Sequence, residues 1–154
     1  MISDVEVILL LLLAVLLSGL VGLEREAKGR AAGFRTHILV CIGSALIMTT
    51  SLSLYFQLGG KESGVDASRI PAQVVSGIGF LGAGTIIQIR DSVRGLTTAA
   101  SVWVAAGIGL AVGAGFYVGA VAATGLVLVV LLVLNRFENR VGAKARSVGA
   151  GGLS

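Results

Sequence analysis

GLTTAASVWVAAGIGLAVGAGFYVGAVAATGLVLVVLLVLN, residues 95–135, contains no Asp, Glu, Lys or Arg. As one helix it would measure about 60 Å at 1.5 Å per residue, twice the roughly 30 Å hydrocarbon core of a bilayer. The stretch must therefore fold back on itself. Gly113-Ala114-Gly115 is the natural break, because two glycines free the backbone between apolar flanks. Two apolar helices joined by a glycine turn place this half of the chain in a membrane.

The rest of the sequence repeats the pattern. Segments 7–23, 38–60 and 70–89 are also free of the four charged types, so all twelve Lys and Arg and all eight Asp and Glu lie between the apolar runs. With 55% hydrophobic residues, 23 Gly and one Pro in 154 residues, the composition excludes an ordinary soluble domain. The pattern predicts an all-α polytopic membrane bundle of about five spans: 5–23, 38–54, 70–89, 96–112 and 116–134. They form one membrane domain over 1–146, and the Gly-rich tail 147–154 is expected to be disordered. The first run has Asp4 and Glu6 before it, no Lys or Arg, and no A-x-A site after it. It is expected to be a retained helix rather than a signal peptide. The sole cysteine, Cys41, excludes an internal disulfide.

A net charge of +4 and a pI near 9.8 would suggest a nucleic-acid partner in a soluble protein. Here the positive charge sits in loops, where topology explains it, so no nucleic acid is expected and the lipid bilayer is the surrounding partner. Cytoplasmic loops carry the excess of Lys and Arg. Arg25, Lys28, Arg30, Arg35, Arg90, Arg94, Arg136, Arg140, Lys144 and Arg146 fall on one side of a five-span chain, against Lys61 and Arg69 on the other. The N-terminus is therefore expected outside and the C-terminus in the cytosol.

Lipid supplies no hydrophobic drive between helices, so packing rests on small residues that let backbones approach. Ala72, Ser76, Gly79 and Ala83 form one such stripe in the third span. Ser101, Ala105, Gly109 and Gly113 form another in the fourth. These two spans are expected at the packed centre, with the Leu-rich first and fifth facing lipid and Trp103 packed inside.

Several motifs compete for a chemical role. Gly77-Ile78-Gly79-Phe80-Leu81-Gly82 satisfies G-x-G-x-x-G, but it lies inside an apolar span, with no acidic residue between Asp91 and Glu138 to meet a ribose. Helix packing or a broken helix lining a cavity explains it better, and no cofactor is expected. The densest polar cluster is Glu24, Arg25, Glu26 and Lys28, followed by Arg35, Thr36 and His37. Glu24 with Lys28 and Glu26 with Arg30 stand four apart and would pair on a helix. A solvated helix end accounts for the basic residues but not for two Glu at the boundary. A carboxylate beside Arg35 or Arg94 would cap the bundle, with Thr97 and Thr98 lining a polar entrance.

His37 and Cys41 share a helix face, yet two ligands are too few for structural zinc, so no metal is expected, only an interfacial His and a packed Cys. At the other end Asp66 and Arg69 precede Pro71, which suits a first helical turn. Gln73 lies one turn deeper, where it could line an aqueous cavity with Arg69.

Taken in order, Gly22-Leu23-Glu24-Arg25-Glu26, Ala32-Gly33-Phe34-Arg35-Thr36-His37 and Gly43-Ser44-Ala45 resemble the opening of the MgtC/SapB membrane-protein family. The likeness continues through Asp66, Arg69-Ile70, Ala72 to Gly84 and Val93 to Ala100, covering roughly residues 15–120. It implies a bacterial inner-membrane domain of about five helices. It also implies relatives linked to survival in low magnesium and in macrophages, and to inhibition of the F-type ATP synthase. Longer members add a soluble C-terminal domain, and this chain ends before one could fit. The expected function is non-enzymatic: helix association with a second copy, a dimer first, or with another membrane protein complex, linked to magnesium or ion homeostasis. The alternative is a small ion or solute transporter or channel. An enzyme ranks last, because the sole His and Cys share one face without a nucleophile-base arrangement.

Overall fold

The computed structural model describes residues 3–90 and 92–149. Among the described residues five α-helices follow in this order: α1 (Asp4–Ala27), α2 (Phe34–Gln57), α3 (Arg69–Ala83), α4 (Leu96–Gly113) and α5 (Tyr117–Gly149). Ser3 caps α1 by accepting from the Glu6 amide at 3.3 Å, and Asp4 and Glu6 complement the positive end of the helix dipole. Helices α1, α2 and α4 are long and apolar enough to cross a membrane, and α5 adds a shorter apolar section, Tyr117–Val133. Because α5 continues to Gly149, helix reaches into the segment 147–154 expected to be disordered; residues 150–154 lie outside the described residues.

The packed centre differs from the expected one. Leu10, Ala14 and Leu17 of α1, Cys41 and Ala45 of α2, Ile108 and Val112 of α4, and Ala120 of α5 form the main buried cluster. Helix α4 is central as expected, but α3 is peripheral and buries only Pro71, Ile78 and Gly82. Its Ile78 joins Val102 and Ala106 of α4 in a smaller cluster. Trp103 is 52% exposed on α4 rather than packed inside.

Gly109 and Gly113 explain the central position of α4. A β-carbon on Gly109 would overlap the Cys41 carbonyl oxygen, and one on Gly113 would meet the Ala45 carbonyl oxygen at 2.5 Å. Contacts of Gly109 with Cys41 and Gly113 with Ala45 follow the same order along both helices, so α2 and α4 run parallel.

The predicted third span, 70–89, is also shorter as a helix. At 15 residues α3 measures about 22 Å, below the hydrocarbon thickness. Beyond it Ile87–Ile89 (β1) pairs antiparallel with Ser92–Arg94 (β2), Ile87 opposite Arg94 and Ile89 opposite Ser92. An uncharged run marks apolar sequence, not helix. Thr85-Ile86-Ile87 is β-branched throughout and favours a strand. The hairpin closes on Gly95, whose φ of 93° and contact with the Thr85 carbonyl leave no room for a side chain.

Gly109→Leu should destabilise the protein by about 3 kcal/mol or more through overpacking against α2. Gly107→Ala, on the same helix with nothing within 4 Å, should stabilise it by about 0.5–1 kcal/mol. Thermal unfolding in detergent compares the two.

Candidate functional site at the charged end of the bundle

The end of α1, the start of α2, the start of α4 and the lower part of α5 meet at one end of the bundle. Glu24 and Arg25 occupy the last turn of α1, and both are withdrawn from solvent, with side chains 7% and 1% exposed. Arg25 Nε donates to Glu24 Oε2 at 2.5 Å, and Lys28 Nζ lies 2.6 Å from Oε1. Lys28 Nζ also donates to the Leu131 carbonyl of α5 at 3.2 Å, which ties the first helix to the last. A buried ion pair is held by mutual compensation, since taking either charge alone out of water costs several kcal/mol. One donor nevertheless lacks an acceptor: Arg25 Nη2 is buried with no hydrogen-bond partner.

The Glu24–Lys28 pairing follows the i,i+4 spacing, but Glu26 does not pair with Arg30 by hydrogen bond or ion pair. Its Oε2 accepts from the Phe34 amide at 2.8 Å, capping α2 from the preceding helix because Gly33 has no capping side chain. Arg35 and Arg94 are exposed, and among the described residues neither forms an ion pair with a carboxylate. The partner of Glu24 is instead its neighbour Arg25. Thr36 is half-buried on the first turn of α2.

His37, in the first turn of α2, is fully buried inside the bundle. Its Nδ1 lies 2.8 Å from the Gly33 carbonyl, so that nitrogen carries the proton and donates. Its Nε2 lies 3.1 Å from Ser101 Oγ on α4, whose hydroxyl also reaches the Thr98 carbonyl at 2.8 Å. Thr98 is buried, whereas Thr97 is exposed. Ser101, expected as a packing residue, also takes part in this polar network. The Glu24–Lys28 pair expected from the i,i+4 spacing is present.

Ala105 and Gly109 are buried with Ser101 on α4, whereas Ala72, Ser76, Gly79 and Ala83 are exposed, so that stripe is not covered by any of the described residues. The G-x-G-x-x-G segment is unbroken α3 helix up to Ala83. At the opposite end Asp66, Arg69 and Gln73 are all exposed. Asp66 Oδ1 accepts from the Ser68 hydroxyl at 2.7 Å and the Ser68 amide at 2.8 Å, which holds its carboxyl below the ordinary value. No group of three or more His, Cys, Asp or Glu able to hold a metal occurs among the described residues.

Glu24→Leu should cost about 3 kcal/mol or more in detergent unfolding, because Arg25 is left buried without its counter-ion. The double variant Glu24→Leu with Arg25→Met should recover most of that loss. At the other end, Ser68→Ala should raise the Asp66 pKa toward the ordinary carboxylate value. The contribution of Asp66, present at neutral pH and lost as pH falls through its lowered pKa, should then disappear at higher pH. Carboxyl NMR titration reads this shift.

Residues 11–140 match the MgtC family. YhiD of Escherichia coli strain K12, whose full name is "Putative magnesium transporter YhiD", is 42% identical over 137 residues, covering 88% of this chain and 64% of YhiD. Protein MgtC of Salmonella typhimurium strain LT2 is 47% identical over 96 residues, 62% of this chain and 38% of that protein. Protein MgtC of Brucella abortus is 49% identical over 90 residues, 58% of this chain and 35% of its own length. The chain thus spans under two thirds of the curated relatives it matches. No solved structure matches it. The apolar helices and the family match over 11–140 lead to one assignment: the chain belongs to the MgtC family of bacterial inner-membrane proteins.

Proposed function

We propose that this chain is a non-catalytic membrane module that works by helix–helix association, first with a second copy of itself, in magnesium homeostasis. The Glu24 end faces the cytosol, following the positive-inside rule. The observation that carries this reading is the exposed small-residue stripe of α3. The outward faces of α1 and α5 carry Leu and Val, as lipid contact favours: Leu9, Leu12 and Leu16, then Leu126, Val129 and Val130. Helix α3 also exposes Val75, Phe80 and Leu81, but along one face it presents Ala72, Ser76, Gly79 and Ala83, the type of surface that α4 uses to approach α2. The magnesium link rests on the name of YhiD and on family membership.

A transporter is the second reading, favoured by that same name. Against it, the buried hydroxyls of Ser18, Ser44, Thr49 and Thr124 each donate to a carbonyl one turn back on their own helix, so they are already engaged. Transport sites place polar groups free to bind near the membrane midplane.

Ser76→Cys in native membranes should give a crosslinked dimer, and Gly79→Leu should abolish it without unfolding the chain, since nothing lies within 4 Å of a β-carbon there. An uncrosslinked Ser76→Cys chain that also runs as a monomer in lipid nanodiscs would refute self-association. Proteoliposomes should show no Mg2+ flux; selective flux lost in Glu24→Gln would replace this reading with transport.

A further inference from the structure

A groove of about 220 Å³ opens between α4 and α5, walled by Ala100, Val104 and Val127 and flanked by Thr97, Ser101 and Leu131. Its lining is almost wholly apolar, and it sits on the lipid-exposed side of a chain that resides in a membrane. Leu131 joins the groove to the charged end, because its carbonyl accepts from Lys28 Nζ. Lys28 pairs with Glu24 and Glu24 with Arg25, so two cations face one carboxylate and one positive charge is left over. Arg25 is 1% exposed, and its Nη2 donor has no partner. A buried guanidinium N–H without an acceptor is costly, and an oxyanion is its strongest acceptor.

We propose that the groove and the cations at its end bind one anionic phospholipid, with an acyl chain between α4 and α5 and the phosphate held by Lys28 and Arg25. Each part of the ligand answers a separate feature. The apolar walls fit hydrocarbon, and the orphaned guanidinium donor fits a phosphate oxygen. The excess charge distinguishes an anionic lipid from a zwitterionic one. Free phosphate would satisfy the cations and leave the groove empty. This site is independent of the α3 face, so either assignment can fail without the other.

The full chain, stripped of lipid in detergent, is titrated with phosphatidylglycerol or with phosphatidylethanolamine of the same acyl composition and read by native mass spectrometry. One phosphatidylglycerol should bind per chain with about 5-fold preference, the effect of one basic residue near an anionic lipid surface. Lys28→Gln should erase the preference. Its side chain is 31% exposed and Gln keeps a donor beside Glu24, so the fold should be retained, which circular dichroism checks. Ala100→Leu, which fills the groove, should weaken both lipids. Equal binding of the two lipids by the unaltered chain overturns the proposal. Displacement of phosphatidylglycerol by inorganic phosphate, with Ala100→Leu inert, also overturns it and makes the site a pocket for free anions.

Discussion

Helices α2 and α4 lie so close that a β-carbon at Gly109 or Gly113 would run into the carbonyls of Cys41 and Ala45. In water such an approach would be one contribution among many beside the hydrophobic effect. In lipid, where apolar side chains gain nothing by leaving the solvent, backbone proximity and the dispersion contacts it allows are the attraction itself. The rest of the bundle is arranged around this contact. Helix α1 packs on the same cluster through Ala14 and Leu17, and α5 reaches it through Ala120. The parallel course of α2 and α4 also sets His37 beside Ser101.

Close packing at the centre leaves the charged chemistry at the ends. Along the buried faces, hydroxyl groups bond back to their own helices and offer little to a solute. At the Glu24 end the opposite holds: a carboxylate, a guanidinium and an ammonium compensate one another while one donor stays open. Because a buried charge is stable only while its partner is present, this cluster is sensitive to anything that supplies or removes an acceptor. Together with the exposed stripe of α3, it underlies the proposed reading of the chain as a scaffold with surfaces for lipid and for other helices rather than a conduit.

Much of this was legible in the sequence. Charge-free runs mark the apolar segments, and Gly113-Ala114-Gly115 separates α4 from α5 where the length argument requires. The α4 stripe was readable because small residues every fourth position share one helix face. The same logic applied to α3 found a real stripe but placed it at the centre, since spacing identifies a face and not its partner. The end of α3 was hidden because residues 84–89 are as uncharged as a helix interior, and only Gly84 and the β-branched Thr85, Ile86, Ile87 and Ile89 distinguish them. At the charged end, spacing revealed the Glu24–Lys28 pair. It hid the Glu24–Arg25 pair, since adjacent helical residues do not ordinarily face each other. The capping of α2 by Glu26 depends on the path of residues 28–33, which no periodicity encodes.

The central claim, a bundle closed along its middle by the α2–α4 contact, is tested most directly by the single native cysteine. Cys41 is completely buried at that contact. In native membranes a charged, water-soluble thiol reagent should leave Cys41 unmodified until the protein is denatured in detergent, when modification should be complete. Rapid modification of the folded protein would show that water reaches the middle of the bundle, and would contradict the account.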